Sequence, residues 1–313
     1  MRIAILGAGA TGCNIGGHLK WGGEQVFLLD PFQAHMDAIR EHGLVFHDGP
    51  TGKILDPIFF DYAGNDAAEV GPCDIVIIQT KNPFTRVAIE GHREIFDGHT
   101  TVITLQNGLG TTDTLLEYFP AENIGYGILY SGGQILEPGH IQMLHSDHNI
   151  MFRRLRGERN EVYDQLLAAL ERGSFPSVYS DDIDQIIWTK VGVNCFCNMP
   201  CGLTRLTMQK LLRHPEGNAL VERIVDEVVA VAAAKGVTIT AEGVLQARTM
   251  ALNSPSENYP SGAQDVMHKR LTEVDSLNGA VARIGKELGV PTPVNETIAQ
   301  LMHVLQDTYA DQF

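Results

Sequence analysis

Apolar positions in the first part of the chain fall in short runs separated by stretches of helical periodicity. Arg2 to Leu6 and Gln25 to Leu29 read as strands, with a helix from Thr11 to Trp21 between them. Asp74 to Gln79 contains Ile75-Val76-Ile77-Ile78, an unbroken apolar run expected of a parallel strand buried on both faces, and Thr101 to Leu105 reads the same way. The segment from Gly43 to Asp61 carries Asp48-Gly49 and Thr51-Gly52 and is expected to fold back as a hairpin. Further strands between Ile124 and Phe152 close this part. Beyond about Asp182 the pattern changes to a helical one. Val221 to Ala234 carries an apolar stripe that stops at Lys235-Gly236. Met267, Leu271, Val274, Leu277, Val281, Ile284 and Leu288 recur every three or four residues, which predicts one long amphipathic helix. A last helix starts near Pro293.

A length of 313 residues exceeds what one core ordinarily serves, so two domains are expected, at 1–182 and 183–313. With 44% hydrophobic and 19% charged residues the composition is that of a water-soluble globular protein. The formal net charge of −15 argues against nucleic acid and against an anionic membrane surface as partners, though a local cationic pocket can still take a small anion. The longest apolar stretch, near Val228 to Ala234, is far below the ~20 residues of a membrane span. Met1-Arg2 leads straight into Ile3-Ala4-Ile5-Leu6 without a signal-peptide core, and the cytoplasm is the expected location. Cys195, Cys197 and Cys201 cluster, but without a CxxC pair or nearby histidine they read as small buried thiols, and no metal is expected. His145 and His148 read as surface loop residues.

Gly7-Ala8-Gly9-Ala10-Thr11-Gly12 fits G-x-G-x-x-G at the junction between the first strand and its helix. In that setting the first glycine makes the tight turn, the second admits a pyrophosphate to the backbone, and the third lets helix pack on strand. The helix N-terminus then faces an anion. The expected fold class is therefore α/β, an N-terminal Rossmann domain with a C-terminal all-helical domain. Asp30 ends the second strand, where a carboxylate would bond the adenosine ribose hydroxyls, and no Arg or Lys lies between it and Arg40 to attract a 2′-phosphate. NAD is expected over NADP. The plainer alternative is that Asp30 caps a turn with Pro31.

Trp188 to Asn198 is the most informative stretch. Lys190, Asn194 and Asn198 stand at i, i+4 and i+8, so a helix stacks them along one face amid Val, Cys and Phe. An ammonium can protonate an alkoxide, and two amides can bond carboxylate and hydroxyl oxygens. A narrow solvated stripe is the alternative.

Taken in order, five features resemble the ketopantoate reductase family over essentially the whole chain. They are Gly7-x-Gly9-x-x-Gly12, Thr80-Lys81, Leu105-Gln106-Asn107-Gly108, Lys190-x-x-x-Asn194-x-x-x-Asn198, and finally Ser261-x-x-Gln264-Asp265 with Thr272-Glu273-Val274-Asp275 and Asn278-Gly279. The resemblance implies NAD(P)H-dependent reduction of a 2-oxo acid, 2-dehydropantoate to D-pantoate, on the way to pantothenate and coenzyme A. It implies Lys190 as general acid, Asn194, Asn198 and Ser261 on the substrate, Lys81 at the cofactor, Asn107 near both ligands, and Glu273 orienting the nicotinamide end and the lysine. Without the resemblance, Glu273 reads as an i, i+4 partner of Lys269 on a solvated helix, and Lys81 as an exposed strand-end lysine. The family usually has Met after the substrate serine, whereas Gly262 stands here, which marks Ser261-Gly262 as a place where substrate choice is set. The alternatives are another 2-oxo or 2-hydroxy acid on the same scaffold, or an NAD(P) sensor without catalysis. A homodimer is a further expectation.

Overall fold

The computed structural model describes the chain except for Pro50, residues 145–148, Ser256, Asn258 and Phe313. His145 and His148 lie outside the described residues. The chain divides into two compact units, Met1–Gln106 with Thr111–Ile183, and Asn107–Gly110 with the chain from Asp184 onward.

The strands of the first unit are β1 (Arg2–Leu6), β2 (Gln25–Leu29), β3 (Val45–Asp48), β4 (Tyr62–Gly64), β5 (Ile75–Ile78), β6 (Thr101–Thr104), β7 (Ile124–Leu129), β8 (Gly132–Glu137), β9 (His140–Leu144), β10 (Ile150–Arg154) and β11 (Ser177–Tyr179). Its helices are α1 (Ala10–Trp21), α2 (Gln33–His42), α3 (Thr85–Gly91), α4 (Thr111–Leu116) and α5 (Glu161–Arg172). Eight strands form one sheet in the order β11-β10-β7-β6-β5-β1-β2-β4. From β4 to β7 the pairings are parallel, and β10 joins antiparallel to β7. Alternate residues of β1 and β5 enter different cores. Ile3, Ile5, Ile75 and Ile77 pack on one face, Ala4, Leu6, Val76 and Ile78 on the other. That is why the pattern there is an unbroken apolar run.

A second sheet, in the order β3-β9-β8, lies against the other side of α1. The fold-back expected between Gly43 and Asp61 is present as antiparallel bridges Leu44–Ile58 and His47–Ile54, but the main ladder of β3 is parallel, to β9. Helix α1 is thus held between two sheets, and Gly16 and Gly17 mark the contacts. A Cβ on Gly16 would stand 2.9 Å from Leu28 Cδ2, and one on Gly17 would overlap the Phe46 ring.

The second unit holds α6 (Ile183–Thr204), α7 (Met208–Arg213), α8 (Pro215–Ala234), α9 (Ala241–Asn253), α10 (Ser261–Met267), α11 (Asn278–Leu288) and α12 (Pro293–Asp307). No strand occurs after Tyr179 among the described residues. Its core gathers Val191, Cys195, Phe196 and Met199 of α6 against Val221, Ile224, Val225 and Val228 of α8 and Val281 and Ile284 of α11. Among the described residues no helix is long and apolar enough to cross a membrane.

The single long helix expected from Met267 to Leu288 is not formed. Helix α10 stops at Met267, a 3₁₀ turn covers Val274–Ser276, and α11 begins at Asn278. The stop is a Schellman motif: Arg270 N–H reaches Asp265 O at 2.8 Å and Lys269 N–H reaches Val266 O at 3.1 Å. Lys269 takes the left-handed position, φ 53°, that glycine usually fills, so no glycine betrays the break. The apolar period was also partly false, since Met267 and Leu271 are exposed. Helix α6 ends the same way at Arg205, φ 57°, with Leu206 N–H on Cys201 O.

The clamp on α1 has a testable sign. Alanine is the better helix former by about 1 kcal/mol, yet Gly17→Ala is expected to destabilise the protein by about 1–3 kcal/mol in chemical denaturation, because Phe46 leaves no room. A stabilised Gly17→Ala protein would show that α1 can back away from the small sheet.

Candidate active site

Two sets of polar residues occur, one in each unit. In the first, Gly7 has φ 100°, and a Cβ there would overlap the Thr80 backbone. A Cβ on Gly12 would overlap Gly7 O, so helix and loop touch backbone to backbone. Gly9 differs: a Cβ there would meet nothing within 4 Å. Open space therefore lies over the loop, at a helix N-terminus that no side chain caps. This is the cradle an anionic pyrophosphate requires.

Asp30 ends β2 beside the loop. Its Oδ1 accepts Phe32 N–H at 2.8 Å, so the turn over Pro31 is present, and the carboxylate also accepts the Ala8 backbone N–H. Burial raises its pKa, opposed by those two N–H groups and by His92. The turn cap leaves the carboxylate beside the glycine loop, through its bond from Ala8 N–H.

Lys81 is partly buried and opens the 3₁₀ turn Asn82–Phe84 at the end of β5. The turn is fastened by Gln106, a residue not singled out from sequence. Its Nε2 donates to Thr80 O at 2.6 Å and to Thr85 Oγ1 at 2.9 Å, while its Oε1 accepts from Thr104 Oγ1 at 3.0 Å. Thr111 Oγ1 donates to Asn82 Oδ1 at 2.8 Å. A buried glutamine at a strand end was the signal available, because such an amide must find partners.

In the second unit Lys190, Asn194 and Asn198 lie on α6 as the spacing predicted. Lys190 and Asn194 are partly buried and Asn198 is buried. Desolvation lowers the Lys190 ammonium to about 8, and the Glu273 carboxylate pulls the other way. Glu273 Oε2 also accepts from Asn107 Nδ2 at 3.4 Å. Lys190, Glu273 and Asn107 therefore form one group drawn from three distant parts of the sequence. The alternative pairing of Glu273 with Lys269 fails, because 269–273 is not helical and Lys269 Nζ donates to Tyr309 O instead. Loop 107–110 is seated by Leu109 N–H on Ser276 O at 2.7 Å. Gly108, φ 91°, crosses that carbonyl so closely that a Cβ would overlap it.

Asn198 Oδ1 accepts Ser261 Oγ–H at 3.2 Å and Gly262 N–H at 3.0 Å. Its amide is thereby oriented, with Nδ2 left as donor. Gly262 is buried against α6, where a Cβ would stand 2.8 Å from Asn198 Cβ and 3.0 Å from Met199 Cε. The glycine at 262 thus sets how closely α10 approaches α6. Asn278, part of the last motif, is structural. It donates to Cys195 O at 3.1 Å and to Asn295 Oδ1 at 2.9 Å, and Asn295 in turn binds Glu227. Cys195, Cys197 and Cys201 are buried, and burial pushes their thiols up.

These motifs have counterparts among known proteins. The model of ketopantoate reductase PanE/ApbA matches residues 3–156, and that of its C-terminal part matches residues 182–306. The chain belongs to the ketopantoate reductase family. It is 30% identical over 306 residues to the 2-dehydropantoate 2-reductase of Streptococcus pyogenes, covering 97% of each chain. With the 2-dehydropantoate 2-reductase of Halobacterium salinarum it shares 32% over 308 residues, covering 98% of this chain and 99% of that one. Among solved structures it resembles the ternary structure of D-mandelate dehydrogenase with NADH and anilino(oxo)acetate, with a TM-score of 0.90 at 28% identity, covering 98% and 99% of the two chains. The α/β unit followed by a helical unit is thus the architecture of this family.

The packing at Gly262 gives a stability test. Gly262→Met is expected to lower stability by about 1–3 kcal/mol in denaturant titrations, because α10 must part from Asn198 and Met199. An unchanged midpoint would mean that the two helices separate at no cost.

Proposed function

We propose that the protein is an NADH-dependent reductase of a small branched 2-oxo acid, with 2-dehydropantoate as the first candidate and D-pantoate as product. The observation that supports this most directly is the group that Lys190 of α6 forms with Glu273 and Asn107, in a member of this family.

The first unit is the cofactor unit in this reading. The open backbone over Gly9, with Ala8, Ala10 and Thr11 around it, takes the pyrophosphate, and Asp30 takes the adenosine ribose. Lys81 stands at the loop edge as a cofactor contact. Bound there, the reduced nicotinamide supplies a hydride to the ketone carbon. Everything else is done by side chains of the second unit. As the carbonyl oxygen gains negative charge, Lys190 Nζ delivers a proton to it. Glu273 keeps that ammonium charged despite burial and, with Asn107, fixes its direction. Asn194 and the Nδ2 group of Asn198 donate to carboxylate or hydroxyl oxygens of the acid, and Ser261 holds its far end. Ser261 spends its proton on Asn198, so it is left to accept from a substrate hydroxyl.

A second reading keeps the chemistry and changes the acid. The likeness to D-mandelate dehydrogenase and the glycine at 262 both favour a 2-oxo acid other than 2-dehydropantoate. A panel of 2-oxo acids, each assayed with NADH and NADPH, separates the two. Tight NADH binding with no turnover of any acid would instead indicate a sensor.

Three outcomes are expected in that assay. Lys190→Ala lowers kcat by at least ~10² while NADH affinity stays close to wild type, since the acid is lost and the glycine loop is untouched. Reduction slows as pH rises through about 8, because the donor must be protonated, and oxidation of the hydroxy acid follows the opposite course. Asp30→Ala erodes the preference for NADH over NADPH in kcat/KM. A wild type that prefers NADPH, or a Lys190→Ala enzyme with normal kcat, would falsify the corresponding assignment.

A further inference from the structure

Phe32 stands two residues beyond Asp30 and is 46% exposed. Isolated apolar side chains on a surface are ordinary and need no explanation. This one is held with unusual care. Its backbone N–H is tied to Asp30 Oδ1, the carboxylate assigned above to the ribose. Its ring lies nearly parallel to the His35 imidazole, with centroids 5.8 Å apart and planes 16° apart.

His35 itself is fully buried, an uncommon place for a histidine that has no part in the proposed chemistry. It is pinned from both ends. Gly139 N–H donates to Nδ1 at 3.0 Å, and Nε2 lies 3.5 Å from Cys13 Sγ. Accepting at Nδ1 leaves the proton on Nε2, directed at that sulfur. Cys13 Sγ–H in turn donates to Ala8 O at 3.1 Å, inside the glycine loop. Burial lowers the His35 pKa to about 4, so the ring stays neutral at ordinary pH. A continuous set of contacts therefore runs from the glycine loop through Cys13 and His35 to the Phe32 ring.

We infer that Phe32 is the adenine platform of the dinucleotide site, with His35 and Cys13 as the residues that position it. This rests on the reading that the glycine loop and Asp30 hold NADH. In the cofactor the base is attached to the ribose carbon next to the one that carries the 2′-hydroxyl. With the hydroxyls on Asp30, the base lies within a side chain's length of that carboxylate, where Phe32 offers the exposed aromatic surface. A neutral ring also supplies no cation for a 2′-phosphate, in keeping with NADH as the cofactor.

The test compares two ligands that share the nicotinamide end, by calorimetric titration of the intact protein. NADH carries adenine, and reduced nicotinamide mononucleotide lacks it. Stacking of a base on an aromatic side chain adds to affinity whatever the base. Phe32→Ala is therefore expected to raise the Kd for NADH by about tenfold, and Phe32→Trp to keep it near wild type. The mononucleotide should bind all three proteins alike. An NADH Kd within twofold of wild type in Phe32→Ala overturns the inference. So does an equal loss for the mononucleotide, which would mean a disturbed glycine loop. If the wild type binds neither NADH nor NADPH, the dinucleotide reading falls and the platform with it. A wild type that binds NADH with Phe32→Ala unaffected leaves that reading intact and removes the platform alone.

Discussion

Helix α1 meets close neighbours at three of its glycines, on the loop before it, on the large sheet and on the small one. Gly12 meets the carbonyl of Gly7, Gly16 meets Leu28 and Ile5, and Gly17 meets Phe46 of the second sheet. Such contacts cannot be loosened gradually, because close-packed interiors respond to a single methyl group. They fix where the N-terminus of α1 points, and with it the uncapped end over which Gly9 leaves open space. The ends of β2 and β5, with Asp30 and Lys81, are then registered to the same loop through Gly7, which donates its N–H to Leu29 O and backs onto Thr80. A dinucleotide site built this way needs few special side chains.

The second unit works by the opposite means. Helix α6 is mainly a core element, and placing an ammonium on it costs desolvation free energy that must be offset locally. Glu273 provides the offset, yet burial still prevails and the ammonium sits near 8. A lysine with an ordinary pKa would hold its proton too firmly to be an effective acid near neutrality; one at about 8 is mostly charged at pH 7 and gives the proton up more readily. The carboxylate is available only because residues 268–273 are not helical. The Schellman turn at Lys269 and the bonds from Thr272 to Gln306 Oε1 carry the chain off the helical path before Glu273. The break that contradicts the apolar period is therefore also what brings Glu273 to Lys190 and Asn107.

What was legible in the sequence follows from these physical differences. The parallel strands announce themselves because both faces are buried, and the glycine motif because backbone contact admits no substitute. The Lys190, Asn194 and Asn198 face is legible because helical spacing is local. Glu273 was reachable only through resemblance, since nothing local tells a carboxylate facing a distant lysine from one paired along a helix. The ends of α6 and α10 were hidden because Arg205 and Lys269 occupy left-handed positions that glycine would have flagged. Gln106 carries no local signal of its role, and its four bonds to Thr80, Thr85 and Thr104 form only when the ends of β5 and β6 meet the start of α3.

The same contrast separates recognition of a dinucleotide from recognition of an acid. A pyrophosphate at a helix N-terminus is recognised by backbone geometry that tolerates Ala8, Ala10 and Thr11 alike. A 2-oxo acid is recognised by the shape left among a handful of side chains, where one methylene changes discrimination by only about 1–3 kcal/mol. At Gly262 no side chain stands between the helices, and the consequence is indirect. Helix α10 settles onto α6, Gly262 N–H and Ser261 Oγ–H both engage Asn198 Oδ1, and the amide is turned so that it can only donate outward. Under the proposed reading, a donating Asn198 and an accepting Ser261 would favour an acid that presents a carboxylate or carbonyl oxygen to one and a hydroxyl to the other. 2-Dehydropantoate has both groups, as does any hydroxylated 2-oxo acid of similar reach, so on that reading discrimination among them would have to come from the packing of α10 rather than from polar residues that all of them would share.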